Sequence, residues 1–537
     1  MKSFTSISLC IITFLFCFLS CTSPSQKEAK TISLGTIEFP ATSTPEAIEH
    51  FEQGVLLLHS FMYSEAAESF KKAQEIDEDF AMAYWGEAMT NNHPLWSAQN
   101  TERGQEILGR LAATKEERLI KAPTAFEKDM LAAVEVLFGE GEKFERDDLY
   151  SEYMSELYEK YPDNHEVAAF YALSLLGSVE EGRDYEIYGM GAKIVEGILS
   201  ENPNHPGALH YLIHSYDDPD HAPLAIKAAN SYSEVAPDAG HALHMPSHIY
   251  IAMGMWDEVI SSNIRSFDAR LKKNEQTGSS GWNLHAYHWL LYGYLQKNEL
   301  AKAGEIMEQM VPQIASNQSS YLKSYAIDMV GIYLAETGDW NGDYSSIVTG
   351  DSKLNIQYNV AQLFMNGYKS YKEGDAVAVT EILAKINEKI ASASNQLTTR
   401  GITVCSGQSF ATRPPNQDDI DISRVLALEL QVAQALMNDS EDEVVEKLLQ
   451  EATNLQGEIS FSFGPPAIVI PSYEMYGNWL LEKERYQDAL AQFEKSLDTG
   501  PARRKALEGK LEAAKGLGDT DMAREVQEIL QGQLEVS

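Results

Sequence analysis

One fixed spacing of small and apolar residues constrains this chain more than any other feature. Two distant runs share offsets of 12, 16 and 19 residues from a glycine: Gly54, Ala66, Phe70 and Ala73, then Gly477, Ala489, Phe493 and Ser496. Between them, Pro203 and Pro237 lie 34 residues apart. A long fixed period with helical spacing of apolar side chains predicts stacked helix pairs that share one continuous core.

The two runs resemble the tetratricopeptide repeat (TPR), whose period is 34 residues. The resemblance implies an all-α fold, a TPR-like α-solenoid of antiparallel helix pairs. It also implies a concave surface lined by the first helix of each pair, with ligand contacts from positions 2, 5, 9 and 12 of the repeat. His244-Met245-Pro246-Ser247-His248 and Phe463-Gly464-Pro465-Pro466 are further similar to segments of a widespread group of large bacterial TPR proteins of unassigned activity.

The match to the repeat divides the chain into three predicted segments. Residues 45–299 should form N-terminal TPR-like repeats, with Thr44 and Pro45 as the cap and first residue of the first helix. Residues 300–456 are helical in pattern but irregular, with Gly367 and Gly374 marking one candidate repeat. Residues 457–537 should form C-terminal TPR repeats.

The amino terminus has the pattern of a targeting segment. Residues 1–20 combine an early lysine with an uncharged apolar stretch that is too short to span a bilayer, which predicts a signal peptide. The end of this stretch, Phe18-Leu19-Ser20-Cys21, resembles the lipobox of bacterial lipoproteins, which implies a lipidated Cys21. The alternative is an ordinary signal peptide cleaved near Ser20.

A polar, unpatterned stretch follows Cys21, and we expect residues 21–44 to form a flexible tether. The resulting localisation is the bacterial cell envelope, on its periplasmic or outer-membrane face, with the N-terminal lipid anchor as the one membrane contact. Cys405 would be the one thiol left in the mature chain, so no internal disulfide is expected. The net charge of −38 makes nucleic acid an unlikely partner.

Histidine is concentrated in one part of the chain, since nine of the 13 histidines lie between His205 and His288. Pro203 and Pro237, each taken as position 32 of a repeat, place the starts of the next repeats at Pro206 and Gly240. A third repeat begins at Leu284, after a polar insertion. Positions 2, 5 and 9 of these three repeats hold seven histidines, the exceptions being Gly207 and Tyr292. The seven are His210, His214, His241, His244, His248, His285 and His288.

This pattern predicts a transition-metal site on the first helices. Histidines four residues apart share one helix face, and neighbouring helices pack at about 8–10 Å, so the pairs can converge. The predicted inner ligands are the mid-helix residues His210, His214, His244, His248 and His288. His241 and His285 are predicted as ligands of second rank, because they occupy position 2, near a helix start, where the backbone is less rigid. Zinc or copper is favoured, since both accept all-nitrogen coordination.

Two other interpretations of the histidines stay open, a polar peptide-binding groove and buried structural histidines. Asp217, Asp218 and Asp220 follow His214 and could contribute a carboxylate, but a solvated turn around Pro219 is the favoured interpretation.

Two functions fit these features. The first is a cell-envelope lipoprotein that binds a transition metal, or a protein or peptide partner, through its histidine-lined concave surface. The second is a zinc- or copper-dependent enzyme, an oxidase, oxygenase or hydrolase, built on the same scaffold. The catalytic residues remain unknown, because the sequence contains no H-E-x-x-H, G-x-S-x-G or phosphate-binding glycine motif. An enclosed metal would favour the enzyme, whereas histidines open to solvent would favour the scaffold.

Overall fold

The computed structural model describes residues 33–180, 182–278, 281–316, 319–347, 353–395, 397 and 410–535. These residues are almost entirely α-helical, which confirms the predicted all-α fold. The one sheet is a two-stranded antiparallel hairpin, β1 (Asn92–His93) and β2 (Ala98–Gln99), around a short 3-10 helix, Pro94–Trp96. Two further 3-10 helices, Asp343–Ser346 and Phe410–Thr412, lie in the central segment.

The first segment contains fifteen α-helices, most of them paired with the next helix along the chain. They are α1 (Pro45–His59), α2 (Tyr63–Ile76), α3 (Ala81–Met89), α4 (Thr101–Leu111), α5 (Lys115–Lys121), α6 (Ala125–Leu137), α7 (Lys143–Lys160), α8 (His165–Gly177), α9 (Tyr185–Glu201), α10 (Pro206–Ser215), α11 (Ala222–Val235), α12 (Gly240–His244), α13 (Pro246–Ala252), α14 (Trp256–Thr277) and α15 (Leu284–Gln296).

The remaining described helices continue the array. They are α16 (Leu300–Ser316), α17 (Ser320–Thr337), α18 (Ile356–Glu373), α19 (Ala376–Ser394), α20 (Gln417–Met437), α21 (Asp442–Glu458), α22 (Ser472–Glu482), α23 (Tyr486–Thr499), α24 (Arg504–Leu517) and α25 (Thr520–Glu535). The candidate repeat marked by Gly367 and Gly374 is the pair α18–α19, with Gly374 in the left-handed conformation at the end of α18.

The small residue of each repeat permits close packing of an aromatic ring. A Cβ atom on Gly54 would lie 2.6 Å from the ring of Phe70, and one on Gly477 would lie 2.7 Å from the ring of Phe493. Both rings are fully buried. The recurrence of glycine and phenylalanine at the two ends of the chain therefore reflects the same helix–helix contact, α1 against α2 and α22 against α23.

The first helix begins as predicted, because the Thr44 side chain accepts a hydrogen bond from the Ala47 amide and Pro45 is the first helical residue. The preceding residues correct the predicted tether. Residues 33–44 form neither helix nor strand, with Leu34 and Phe39 buried in the main core. The Thr36 amide also donates to the Asn204 carbonyl at 3.0 Å. Apolar side chains and backbone hydrogen bonds hold residues 33–44 against the repeats, so these residues are not a flexible tether. The predicted signal peptide and the rest of the predicted tether, residues 1–32, lie outside the described residues.

The hydrophobic core is continuous across the first predicted boundary, since one cluster of buried residues runs from Leu34 to Val469. A second cluster joins α20 and α21 to the C-terminal repeats through Val432, Leu449, Trp479 and Phe493. Among the described residues, no helix has the combination of length and apolar character that a membrane span requires.

Candidate metal centre

The predicted histidines lie on three neighbouring first helices. His210 and His214 are on α10, and His285 is on α15. The middle helix is interrupted at Pro246, whose ring cannot continue an α-helical hydrogen-bond ladder. His244 therefore ends α12 while His248 lies on α13. His210, His214, His244 and His248 are at most 1% exposed, whereas His241 and His285 are partly exposed.

Six of the seven predicted histidines form two groups of three. His210, His214 and His241 are the first histidine group, and His244, His248 and His285 are the second histidine group. Within each group, one ring nitrogen per residue lies within 4.8 Å of the others. Each group takes positions 5 and 9 from one repeat and position 2 from the next. The two groups adjoin, since the His214 and His248 ring centroids are 5.7 Å apart.

Hydrogen bonds fix the protonation pattern of two rings in the second group. His244 Nδ1 donates to the Asn263 Oδ1 atom at 2.7 Å, and the Asn263 amide group donates in turn to the Val259 carbonyl, which fixes the amide orientation. His248 Nδ1 donates to Asp217 Oδ2 at 2.6 Å. In the neutral form that binds metal, each imidazole carries one proton, and with that proton on Nδ1 both Nε2 atoms are lone-pair acceptors. These two Nε2 atoms lie 3.1 Å apart.

The first group repeats this arrangement at His210 alone, because His214 Nδ1 has no hydrogen-bond partner among the described residues. His210 Nδ1 donates to the backbone carbonyl of His59 at 2.7 Å, which leaves the His210 Nε2 lone pair facing His214 Nε2 at 3.1 Å. A metal bound tetrahedrally by imidazole nitrogens at about 2.0–2.1 Å places those nitrogens roughly 3.3 Å apart. The two nitrogen pairs therefore have the spacing that a shared metal ion requires.

Burial keeps most of these rings neutral, which is the form that binds metal. Loss of hydration lowers the pKa of His210 and of His288 to about 3. The same burial, reinforced by the neighbouring histidines, lowers the pKa of His214, His241 and His244 well below the ordinary value.

His288, predicted as an inner ligand, lies outside both groups. Its ring faces Tyr325, with 5.9 Å between the ring centroids. The third repeat offers no second histidine to pair with His288, because its position 9 is Tyr292. The Tyr292 hydroxyl instead accepts a hydrogen bond from Arg503 at 2.8 Å. His241 and His285, which were ranked second, instead complete the two groups. The predicted order of the histidine ligands does not match this grouping, because the start of each first helix lies beside the middle of the first helix of the preceding repeat.

No protein-family model and no curated protein sequence matches this chain. Among solved structures, human IFIT1 in a dimer with m7Gppp-AAAA is 13% identical over 92% of this chain and 91% of that chain, with a TM-score of 0.32. The TPR domain of P58(IPK) is 13% identical over 88% and 99%, with a TM-score of 0.20. Yeast Tom70 is 12% identical over 90% and 99%, with a TM-score of 0.29.

The same glycine-to-phenylalanine contact between paired helices occurs at both ends of this chain, and the first helices that begin at Pro206 and Gly240 are 34 residues apart. The fold is a TPR-like α-solenoid. Within this solenoid the histidines at positions 5 and 9 are buried, and only the two at position 2 are partly exposed, so they do not form a solvent-lined concave surface. This burial corrects the expectation of an open histidine face.

The acidic turn after His214 is also more buried than expected. Asp217 is fully buried, holds His248 through one oxygen, and has no hydrogen-bond partner for Oδ1 among the described residues. Asp218 is 2% exposed and pairs with Arg183 at 3.5 Å and with His221 at 2.8 Å. Asp220 is exposed. The solvated-turn interpretation is therefore wrong for Asp217 and Asp218 and right for Asp220.

A third cluster, His59, Glu166 and His205, was missed from the sequence. All three are fully buried, and Glu166 accepts hydrogen bonds from His59 Nε2 at 2.7 Å and from His205 Nε2 at 3.2 Å. His205 Nδ1 accepts the Ala208 backbone N–H, so this ring must keep its proton on Nε2. The cluster is therefore a hydrogen-bond network and not a metal site.

This network supports the first histidine group, because the His59 carbonyl accepts the hydrogen bond from His210. It also explains Gly207, the exception at position 2, since a Cβ atom there would overlap the His59 ring. The sequence signal that pointed toward this cluster was the 34-residue spacing of His59 and His93. His93 is not part of the cluster, however, and its ring stacks on Tyr63 with ring centroids 3.9 Å apart.

Aromatic side chains enclose the two groups. Trp289 lies 4.6 Å from His248 and 5.0 Å from His244 between ring centroids, and Phe61 lies 4.3 Å from His210. Phe463, from the Phe-Gly-Pro-Pro segment singled out in the sequence, lies 4.9 Å from His248. This shell excludes water from the inner rings, and His241 and His285 are partly exposed residues whose Nε2 atoms are themselves buried.

Proposed function

We propose that this solenoid binds two transition-metal ions, zinc or copper, one in each histidine group. The observation that carries the proposal is the facing pair of imidazole Nε2 atoms, 3.1 Å apart, in each group. In the second group both Nδ1 atoms donate elsewhere, so in the neutral, metal-binding form of the rings both Nε2 atoms are lone-pair acceptors. Two such lone pairs repel each other, and a bound cation converts that repulsion into coordination.

The surroundings support the same proposal. Ligating histidines in metal sites donate their second nitrogen to a carboxylate, an amide or a backbone carbonyl, which fixes the ring orientation. Asp217, Asn263 and the His59 carbonyl provide these three acceptors here. The burial of the rings argues against a peptide groove at the same positions, since a peptide contacts exposed side chains. A protein partner would therefore contact another surface of the solenoid.

Metal content tests the proposal. Protein expressed without residues 1–20 and without a histidine tag, then reconstituted and desalted, should retain two metal ions per chain by elemental analysis. A His244→Ala, His248→Ala double variant should retain one, because the first group stays intact. Addition of His210→Ala and His214→Ala should remove the other.

The matched control is a His50→Ala, His165→Ala double variant, whose two histidines lie outside both groups. It should retain two ions. Far-ultraviolet circular dichroism establishes that each variant remains helical, and a His244→Gln, His248→Gln pair provides a second, less disruptive test. A wild-type protein that binds neither zinc nor copper would overturn the proposal.

A zinc- or copper-dependent enzyme is the second candidate function, and the enclosure of the site favours it. Three nitrogens per group leave a coordination position for a small molecule, and the partly exposed residues His241 and His285 are the nearest of the six to solvent. Azide added to the Cu(II)-loaded protein should produce a new charge-transfer absorption if that position is open. An unchanged spectrum would favour binding without catalysis.

We also propose that the protein is anchored to the bacterial cell envelope by lipid on Cys21. The support is the lipobox-like sequence, and Cys21 itself lies outside the described residues. A Cys21→Ser variant should move from the membrane fraction to the soluble fraction when cells are fractionated, because it cannot accept the lipid. A Cys405→Ser variant, the matched control, should stay with the membranes. Equal membrane association of the two variants would contradict the anchor.

A further inference from the structure

A small cavity shares Phe61 as a wall with the first histidine group. It lies among α1, α3, α7, α8 and the β1–β2 hairpin, and its volume is about 20 Å³. The lining residues are buried except Tyr63 and Pro94, which are partly exposed. One water molecule needs roughly 10–15 Å³, so this cavity has room for a molecule of two or three heavy atoms and no larger ligand.

The wall of the cavity is mostly apolar, with Leu58, Phe170 and Leu173 among its residues. Three of its polar side chains already bond to other protein groups: Ser174 to the Tyr171 carbonyl, Asn92 to Gln99, and Asp147 to Lys143. These bonds reduce what the wall can offer to a polar occupant.

The Tyr150 hydroxyl is the exception in this wall. It is closed off from solvent and has no hydrogen-bond partner among the described residues. A buried polar group without a partner is costly, so it indicates an occupant that the protein itself does not supply. A buried water molecule normally makes two to four hydrogen bonds, and one free hydroxyl in an apolar wall does not provide them.

Phe61 stands at a backbone position that suits few bulky side chains. It lies two residues before α2 and has a positive φ of 51°. The equivalent residues before the second helices of other pairs also have positive φ, and they are small or polar: Gly254, Asn298, Gly374, Glu484 and Gly518. A phenylalanine is strained in this conformation.

The place of the Phe61 ring gives a reason for this strain. The ring lies 4.3 Å from His210 and 5.8 Å from His241 between centroids, and it also lines the cavity. A glycine or an asparagine would fit the turn better but would remove the apolar wall between the cavity and the first histidine group. The strained turn therefore joins the two places.

We infer that this cavity binds a small apolar molecule of the size of dioxygen, enclosed by Phe61 and Leu173 and facing the Tyr150 hydroxyl. Binding in the cavity needs no metal. The use of this molecule by an ion in the first histidine group rests on the two-ion site proposed above, and it makes dioxygen the substrate of the oxidase or oxygenase candidate.

Gas-pressurised crystals of the metal-free mature chain test the binding. Krypton is an apolar atom of similar size that cannot form a hydrogen bond, and its anomalous scattering identifies it. We expect a krypton peak beside Phe61 and Leu173, and crystals pressurised with dioxygen should show density at the same place. A water molecule bonded to Tyr150 that neither gas displaces would overturn the inference, and so would a cavity that neither gas enters.

Three substitutions establish what holds the gas. Leu173→Phe should fill the cavity and remove the krypton peak, whereas Leu149→Phe, the same change at an exposed position of α7, should leave the peak unchanged. Tyr150→Phe keeps the ring and removes the hydroxyl, so krypton should still bind, because an apolar atom needs no hydrogen bond. Loss of krypton from Tyr150→Phe would contradict an apolar site.

Metal content separates this inference from the two-ion site. Leu173→Phe lies outside both histidine groups, so elemental analysis should still find two ions per chain. Krypton in the cavity of a protein that binds no metal would support the cavity and overturn the two-ion site. Two bound ions in a protein whose cavity admits neither gas would overturn the cavity inference alone.

Discussion

Metal-free protein should lose most of its stability between pH 7.5 and pH 5.5. Burial lowers the pKa of eight described histidines: His59, His93, His210, His214, His241, His244, His285 and His288. In the unfolded chain these rings titrate near 6.5, so below that pH the unfolded state binds more protons than the folded state. Their contribution to stability is therefore complete above pH 6.5 and is lost as the pH falls toward the folded-state values, about 3 for His210 and His288.

Each such histidine costs about 1.4 kcal/mol of stability per pH unit below 6.5. Several rings titrating together can therefore remove the roughly 5–15 kcal/mol that holds a folded protein. Urea denaturation followed by circular dichroism should show the midpoint falling sharply from pH 7.5 to pH 5.5. His288→Phe, which removes one titrating ring outside both histidine groups, should weaken the pH dependence. A midpoint that does not change over this range would contradict the burial of neutral histidines.

Arg503→Met should destabilise the junction between the central and C-terminal repeats by about 3–5 kcal/mol. Arg503 is 4% exposed and forms ion pairs with Glu336 at 2.7 Å and with Glu474. Burial alone would lower the pKa of Arg503, but the two carboxylates raise it well above its ordinary value. Removal of the guanidinium would leave two buried carboxylates facing each other without a cation, and the Tyr292 hydroxyl without its donor.

The control for this prediction is a triple variant, Arg503→Met with Glu336→Gln and Glu474→Gln, which removes the buried charges together. It should recover much of the lost stability, because a neutral network carries a smaller desolvation penalty than an unpaired carboxylate. Urea denaturation at pH 7.5 compares the three proteins. If Arg503→Met unfolds at the same urea concentration as the wild type, the network does not hold the junction.

The sequence was informative wherever one repeat predicts the next. The shared offsets of 12, 16 and 19 residues identify Gly54 and Gly477 as equivalent, and the 34-residue period places His210 and His214 in register with His244 and His248. Such equivalence can be read without a structure because each repeat packs on its neighbour in the same way. The same reasoning places Glu474 at position 5 of its repeat, but it does not reveal that Glu474 is buried in an ion pair with Arg503.

The sequence by itself determined the fold class, the repeat register and the set of histidines from which both groups are drawn. Only the tertiary structure decided that His241 and His285 complete the groups while His288 does not. It also decided that Asp217 holds His248 and that Glu166 joins His59 to His205. A period reports which residues occupy equivalent places along the solenoid. The stagger between adjacent helices and the hydrogen bond on the second nitrogen of each ring determine which residues meet, and both depend on contacts far apart in the chain.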